Sequence, residues 1–211
     1  MNKKKITFKN IFPVAVTSVL AINKPAGLAI VFAIPYLLIE RRINKTSYED
    51  IGFKIKNTWS DVKRYWWLIL APVIIGILTI LLSKVILPEF YTHVLERITP
   101  MLSFNKALAI IPLQLLVLAF GEEITFRAFL QTKFCNIVSP VWAIIFTSII
   151  FALAHFSMGS PLVIIYDLIF IFIDSILYGL LYNKTKNIYV CTISHFLANL
   201  AGIYQFITTN L

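Results

Sequence analysis

The sequence predicts an all-α fold, a polytopic membrane helix bundle with about six to seven transmembrane helices. Three observations carry this expectation. Of 211 residues, 59% are hydrophobic and 14% charged, with a mean hydropathy of +0.82, whereas a soluble domain has about 45–50% apolar and about 25% charged residues. The excess lies in long apolar runs separated by short charged stretches, the pattern of lipid-facing helices rather than of one soluble core. A crossing also takes roughly 20 residues, so the spans use up most of the chain and leave little for a soluble domain.

The elements follow in order. The first apolar region, Ile11 to Ile39, is interrupted by Asn23, Lys24, Pro25 and Gly27. It is either one long kinked helix or a hairpin of two short helices turning at Asn23–Gly27. The hairpin is favoured, because it leaves the lysines before it on the same side as the basic loop after it. The basic N-terminus followed by an apolar run is shaped like a signal peptide, but no clear small-x-small cleavage site follows, so it reads as a retained anchor. A polar stretch runs from Glu40 to Arg64. Trp66 and Trp67 sit where an aromatic belt would and open a span to about Leu87. Pro88 to Lys106 reads as a mixed loop with room for a short interfacial helix. Further spans are expected from Ala107 to about Thr132, from Pro140 to about His155, from Pro161 to about Tyr182 and from Ile188 to about Thr208, the second and third opening on a proline in the first turn. The chain divides into N-terminal membrane helices with a basic loop, residues 1–106, and a helix core, residues 107–211, within one membrane domain overall.

The net charge of +9 does not point to nucleic acid. The basic residues (Lys3, Lys4, Lys5 and Lys9, then Arg41, Arg42, Lys45, Lys54, Lys56, Lys63 and Arg64) sit in short stretches beside apolar runs, as positive-inside signals do. The Arg41–Arg64 loop is therefore placed in the cytoplasm. Alternation puts Lys133, Lys184 and Lys186 there too, and the Pro88–Lys106 and Phe156–Ser160 loops outside. Cys135 and Cys191 form no CxxC pair and say little about metals or disulfides.

Ionisable residues inside a span cost at least ~2.5–3.5 kcal/mol at the bilayer centre, so they are rare unless paired or functional. The run Phe120-Gly-Glu-Glu-Ile-Thr-Phe-Arg127 puts three charges in one helix. Glu123 and Arg127 are i and i+4 and can pair. Glu122 lies about 100° around the helix from Glu123, so one carboxylate can be structural while the other stays free. Phe151 and His155 are also i and i+4, as are His195 and Asn199. Each element alone has a bland reading: a packing ion pair, an interfacial histidine, an interhelical hydrogen bond. Depth unites them. From the cytoplasmic edge, Glu122 lies ~15 Å deep, His155 ~22 Å, and His195 and Asn199 ~10–17 Å, at ~1.5 Å per residue. A base, two imidazoles and an amide around one partly wet cavity make a hydrolytic constellation. Asp167 and Asp174, i and i+7 in one span, are read as an inward face packed on Ser, Thr or Tyr hydroxyls.

At these residues the chain resembles the CAAX-protease and bacteriocin-processing (Abi, type II CAAX prenyl endopeptidase-like) family of intramembrane peptidases. The family pattern of EExxxR, FxxxH and HxxxN on separate helices reads here as Glu122-Glu123-xxx-Arg127, Phe151-xxx-His155 and His195-xxx-Asn199. The likeness covers roughly Ala107 to Asn199, including the stretch from Tyr178 before the last motif. Each motif is weak alone, and the ordered set is specific. Two departures are Ala128, where glycine often follows the arginine, and the two aspartates, which the pattern lacks.

The resemblance implies an active-site cavity within the membrane and an endopeptidase acting on a membrane-embedded or membrane-associated peptide or protein. Glu122 would activate water. His155, His195 and Asn199 would polarise the scissile carbonyl and hold the oxyanion, while Glu123 and Arg127 would orient the site. No obligatory metal is expected. If Zn2+ is used, its ligands would be Glu122, His155 and His195, since asparagine is a poor zinc ligand and HExxH is absent. The Lys, Ile and Asn richness suggests a low-GC bacterium and its plasma membrane, hence a role in bacteriocin self-immunity or peptide processing. The alternatives are a non-catalytic immunity or scaffold protein and a CAAX-type tail protease. An ion-path transporter is disfavoured, because a path needs no EE, H, H, N order.

Overall fold

The computed structural model describes residues 8–23, 27–104 and 110–209. Among these there is no strand, and the helices in chain order are α1 (Phe8–Ile22), α2 (Gly27–Asn44), α3 (Thr58–Ile86), α4 (Glu89–Phe104), α5 (Ile111–Glu123), α6 (Thr132–Cys135), α7 (Pro140–Ala154), α8 (Pro161–Thr185) and α9 (Ile188–Thr209). The first apolar region forms two helices that pack on each other. The Asn23 side-chain amide donates to the Val19 carbonyl at 2.9 Å and ends α1. The lysines at positions 3 to 5 and most of the expected Asn23–Gly27 turn lie outside the described residues.

α3 packs along α9 and α8, α7 along α8, and α5 along α9. Small residues at the crossings bring backbones close: Ala29, Ala33, Ala119 and Ala143 are fully or almost fully buried. Outside, Ile74, Leu78, Leu113, Val117, Val141 and Ile165 are each more than half exposed. An apolar outer surface of this kind is what lipid contact requires.

Two helical stretches, Ile55–Ile86 and Pro161–Thr185, are long and apolar enough to cross a membrane by length and composition. The remaining spans that the sequence predicts are shorter or more polar. The apolar stretches Asn10–Ile22 and Pro140–Ala154 fall below crossing length. α2 ends in Glu40, Arg41 and Arg42, and α9 carries His195, Asn199 and Gln205.

Three elements differ from the sequence expectation. α3 begins at Thr58, two turns before Trp66, and kinks at Tyr65 (φ −117°, ψ 23°); the polar first turns hide it from a hydropathy reading. Glu89–Phe104 is a full helix rather than a mixed loop. It is held on α8 by an Arg97–Asp167 ion pair, with His93 Nε2 3.7 Å from the same carboxylate. The predicted α-helical span to Thr132 changes character at the site: α5 passes into a π-helical stretch, Ile124–Gln131, whose eight residues are all buried. The wider turn leaves carbonyls to be satisfied. The Thr125 hydroxyl donates to Gly121 at 2.8 Å and the Thr132 hydroxyl to Arg127, five residues back, at 3.2 Å. Hydropathic periodicity cannot see a change from i+4 to i+5 bonding when every neighbour is buried.

The polar stretch after α2 is folded onto one end of the bundle. Gly52 (φ 101°) uses a left-handed conformation natural to glycine, and its carbonyl accepts from the Ile188 N–H at 2.9 Å. Asn187 donates to the Lys54 carbonyl at 3.0 Å and to Asp61 at 3.1 Å, and accepts from the Tyr189 N–H at 3.1 Å, capping α9. The Ser47 N–H and hydroxyl donate to Asp50 and hold its exposed carboxyl below the usual range. Lys133 pairs with Glu40 at this same end.

Candidate active site

The π-helical stretch, α7, α8 and α9 converge on Glu123 and Arg127, both fully buried. The i, i+4 pair forms as expected, with Arg127 Nε donating to Glu123 Oε2 at 3.2 Å. Arg127 Nη2 donates to Ser175 Oγ on α8 at 3.1 Å. Its guanidinium carbon lies 5.2 Å from the Phe151 ring centre and 5.8 Å from that of Tyr178. This is cation–π range, where aromatic faces offset part of the cost of a buried charge.

Glu123 also fixes His195. The Glu123 Oε1 to His195 Nδ1 distance is 2.9 Å. A carboxylate only accepts, so the ring donates from Nδ1 and turns Nε2 inward. Tyr178 stacks on one imidazole face (centroids 4.8 Å, 18°), and Phe151 meets the ring edge-on at 5.9 Å. His155 is fixed in the same way: its Nδ1 is 2.8 Å from the Phe151 carbonyl, also an acceptor only, and its ring lies 4.5 Å from that of Phe151. His155 caps the end of α7, so it reaches the site from a helix terminus.

Both Nε2 atoms face Glu122. Its Oε2 lies 3.7 Å from His195 Nε2 and 3.9 Å from His155 Nε2. These gaps are too wide for direct hydrogen bonds and suit an oxygen placed between. Glu122 keeps 23% of its side-chain surface exposed, whereas Glu123 keeps none. Three of the four residues expected to react therefore meet. Asn199 does not join this contact set. One α9 turn beyond His195, it lines a neighbouring cavity with Asp167, Asp174 and Arg97.

With bonds of ~2.0–2.1 Å, two ligand atoms of a tetrahedral zinc stand about 3.3 Å apart, closer than either gap here. Among the described residues, no group of three or more His, Cys, Asp or Glu side chains could hold a metal ion.

The aspartate expectation needs correction at Asp167. It pairs with the Arg97 guanidinium rather than with hydroxyls; a mixed loop with room for a short interfacial helix does not place that cation against α8. Ser175 and Tyr178 had no assigned role in the sequence. Their signal is the face Ser175, Tyr178, Gly179, Tyr182 at i, i+3, i+4, i+7 on α8.

Among the described residues the fold is an all-helical bundle with two apolar helices of membrane length and a carboxylate–imidazole cluster inside it. Residues 104–201 match the family model described as type II CAAX prenyl endopeptidase Rce1-like, so just under half of the chain is similar to that protease family. The three motifs, from Glu122 to Asn199, all fall within it. No curated protein and no solved structure matches the chain.

Proposed function

We propose that the protein is an intramembrane endopeptidase in which Glu122 activates water. The observation that carries this reading is the convergence of two tautomer-locked imidazoles on one partly exposed carboxylate. Water held between Glu122 and the Nε2 atoms gives its proton to Glu122 and attacks the scissile carbonyl carbon. Only as an imidazolium, with a proton on each ring nitrogen, does either ring donate from Nε2 to the oxyanion, and this is the form in which they act here. Asn199 holds the substrate carbonyl from the cavity side through its side-chain N–H groups. Collapse breaks the C–N bond, and Glu122 returns the proton to the leaving amine. Glu123 and Arg127 act through His195. A chelator is expected to leave cleavage unchanged.

The substrate is a membrane-embedded or membrane-associated peptide or protein, and the role is bacteriocin self-immunity or peptide processing at the bacterial plasma membrane. The test compares the membrane proteomes of cells carrying the unsubstituted chain and a Glu122→Ala variant at equal membrane level. Peptide ends present only with the unsubstituted chain are expected. Identical proteomes in cells challenged with bacteriocin, with immunity retained by Glu122→Ala, would favour the scaffold alternative.

A further inference from the structure

The cavity that Asn199 reaches lies between α3, α4, α8 and α9 and holds about 170 Å³. This is below the ~300–1,000 Å³ of a pocket for a whole small ligand, so it fits one side chain. Ile80, Ile98, Ile171 and Ile203 supply apolar wall. Two carboxyl groups and one guanidinium line it. Asp167 is already paired with Arg97. Asp174 is different: its Oδ1 is buried with no hydrogen-bond partner. A buried carboxylate oxygen is costly unless a donor meets it.

An alkyl stem against isoleucines with three N–H donors at its tip is the form of a lysine side chain. Norleucine fills the same walls and leaves Asp174 unmet. Glutamate adds a like charge, and the broad planar guanidinium of arginine suits a paired fork rather than a single buried oxygen. We propose that this cavity is a substrate subsite for a lysine side chain, with Asp174 as its counter-ion and Asn199 linking it to the reacting carbonyl. The proposal rests on the endopeptidase reading.

The test has two arms on the full chain in lipid vesicles. In the first, a blocked peptide library varies each position among lysine, norleucine, arginine and glutamate, and product ends are read by mass spectrometry. Lysine is expected to exceed norleucine roughly tenfold or more at one position beside the cut, the scale of discrimination by a site built to meet a polar group. Asp174→Asn should abolish that preference while norleucine peptides are still cut. In the second, n-pentylammonium should raise the unfolding temperature of the Glu122→Gln chain more than 1-pentanol does, and this excess should vanish when Asp174→Asn is added. If Asp174→Asn does not accumulate, Ile171→Phe, which narrows the cavity from its apolar wall, should give the same losses. Cleavage with no lysine preference overturns the subsite and leaves the endopeptidase reading standing. Pentylammonium binding at Asp174 without any cleavage leaves an alkylammonium-binding cavity there but overturns both its role as a substrate subsite and the endopeptidase reading. Neither binding nor cleavage overturns both.

Discussion

Glu122 and Glu123 are neighbours in sequence and opposites in environment. Glu123 is fully buried between Arg127 and His195, whereas Glu122 borders open space and faces two Nε2 atoms. Their substitutions should therefore differ. Glu123→Gln leaves Arg127 without its buried partner, a loss of about 3–5 kcal/mol, and should lower the amount of folded protein in the membrane. Glu122→Gln should leave that amount nearly unchanged and remove activity. Quantitative immunoblotting of membranes, beside an activity assay, checks both. Failure of Glu122→Gln to accumulate would make Glu122 structural too. The i, i+4 spacing of Glu123 and Arg127 was enough to foresee their pairing. The contact of Glu123 with His195 was not legible, since 72 residues separate them and no periodicity connects α5 to α9.

At the scale of elements, the π-helical stretch lies at the centre of the site, as such turns often do. It is held against α8 by Gln131, whose amide donates to the Gly179 carbonyl at 3.0 Å. A methyl group on Gly179 would stand 2.9 Å from Ile144 and 3.1 Å from Gln131. Gly179→Val should force α7 and the π-helical stretch away from α8, costing about 1–3 kcal/mol as overpacking does, and lower the unfolding temperature in detergent. Gly76, where nothing approaches, offers a control, since Gly76→Ala should be tolerated. The apolar runs told where most helices lie because length and hydropathy set them locally. α4 was only half legible: its packing on α8 through Arg97 is a tertiary contact, and Glu89, Glu96 and Arg97 make it look like loop.

Across the whole molecule, charge and fold agree on one polar end. Glu40–Lys133, Asn187–Lys54 and the Gly52–Ile188 backbone bond bring the basic loop, the end of α6 and the α8–α9 junction together. By the positive-inside rule this end is expected in the cytoplasm. Cysteines placed at Lys54 and Lys184 and read against the unsubstituted chain should react with an impermeant thiol reagent only after cells are opened. Labelling of both in intact cells would reverse the orientation. The all-helical character was legible because a bilayer leaves few options for a chain this apolar. The meeting of Glu122, His155 and His195 was legible as a shared depth, but Asn199, expected at that depth too, lines a cavity that none of the three lines, since depth carries no rotational information. The central claim is that these groups act as a catalytic unit. It is tested most directly by cleavage of a reporter peptide by single alanine variants at Glu122, His155, His195 and Asn199 and by the fourfold variant, each at measured membrane level. Groups acting as one unit are grossly non-additive, so each single variant should lose nearly as much as the fourfold one. Full cleavage by a well-accumulated Glu122→Ala or His195→Ala chain would contradict the account.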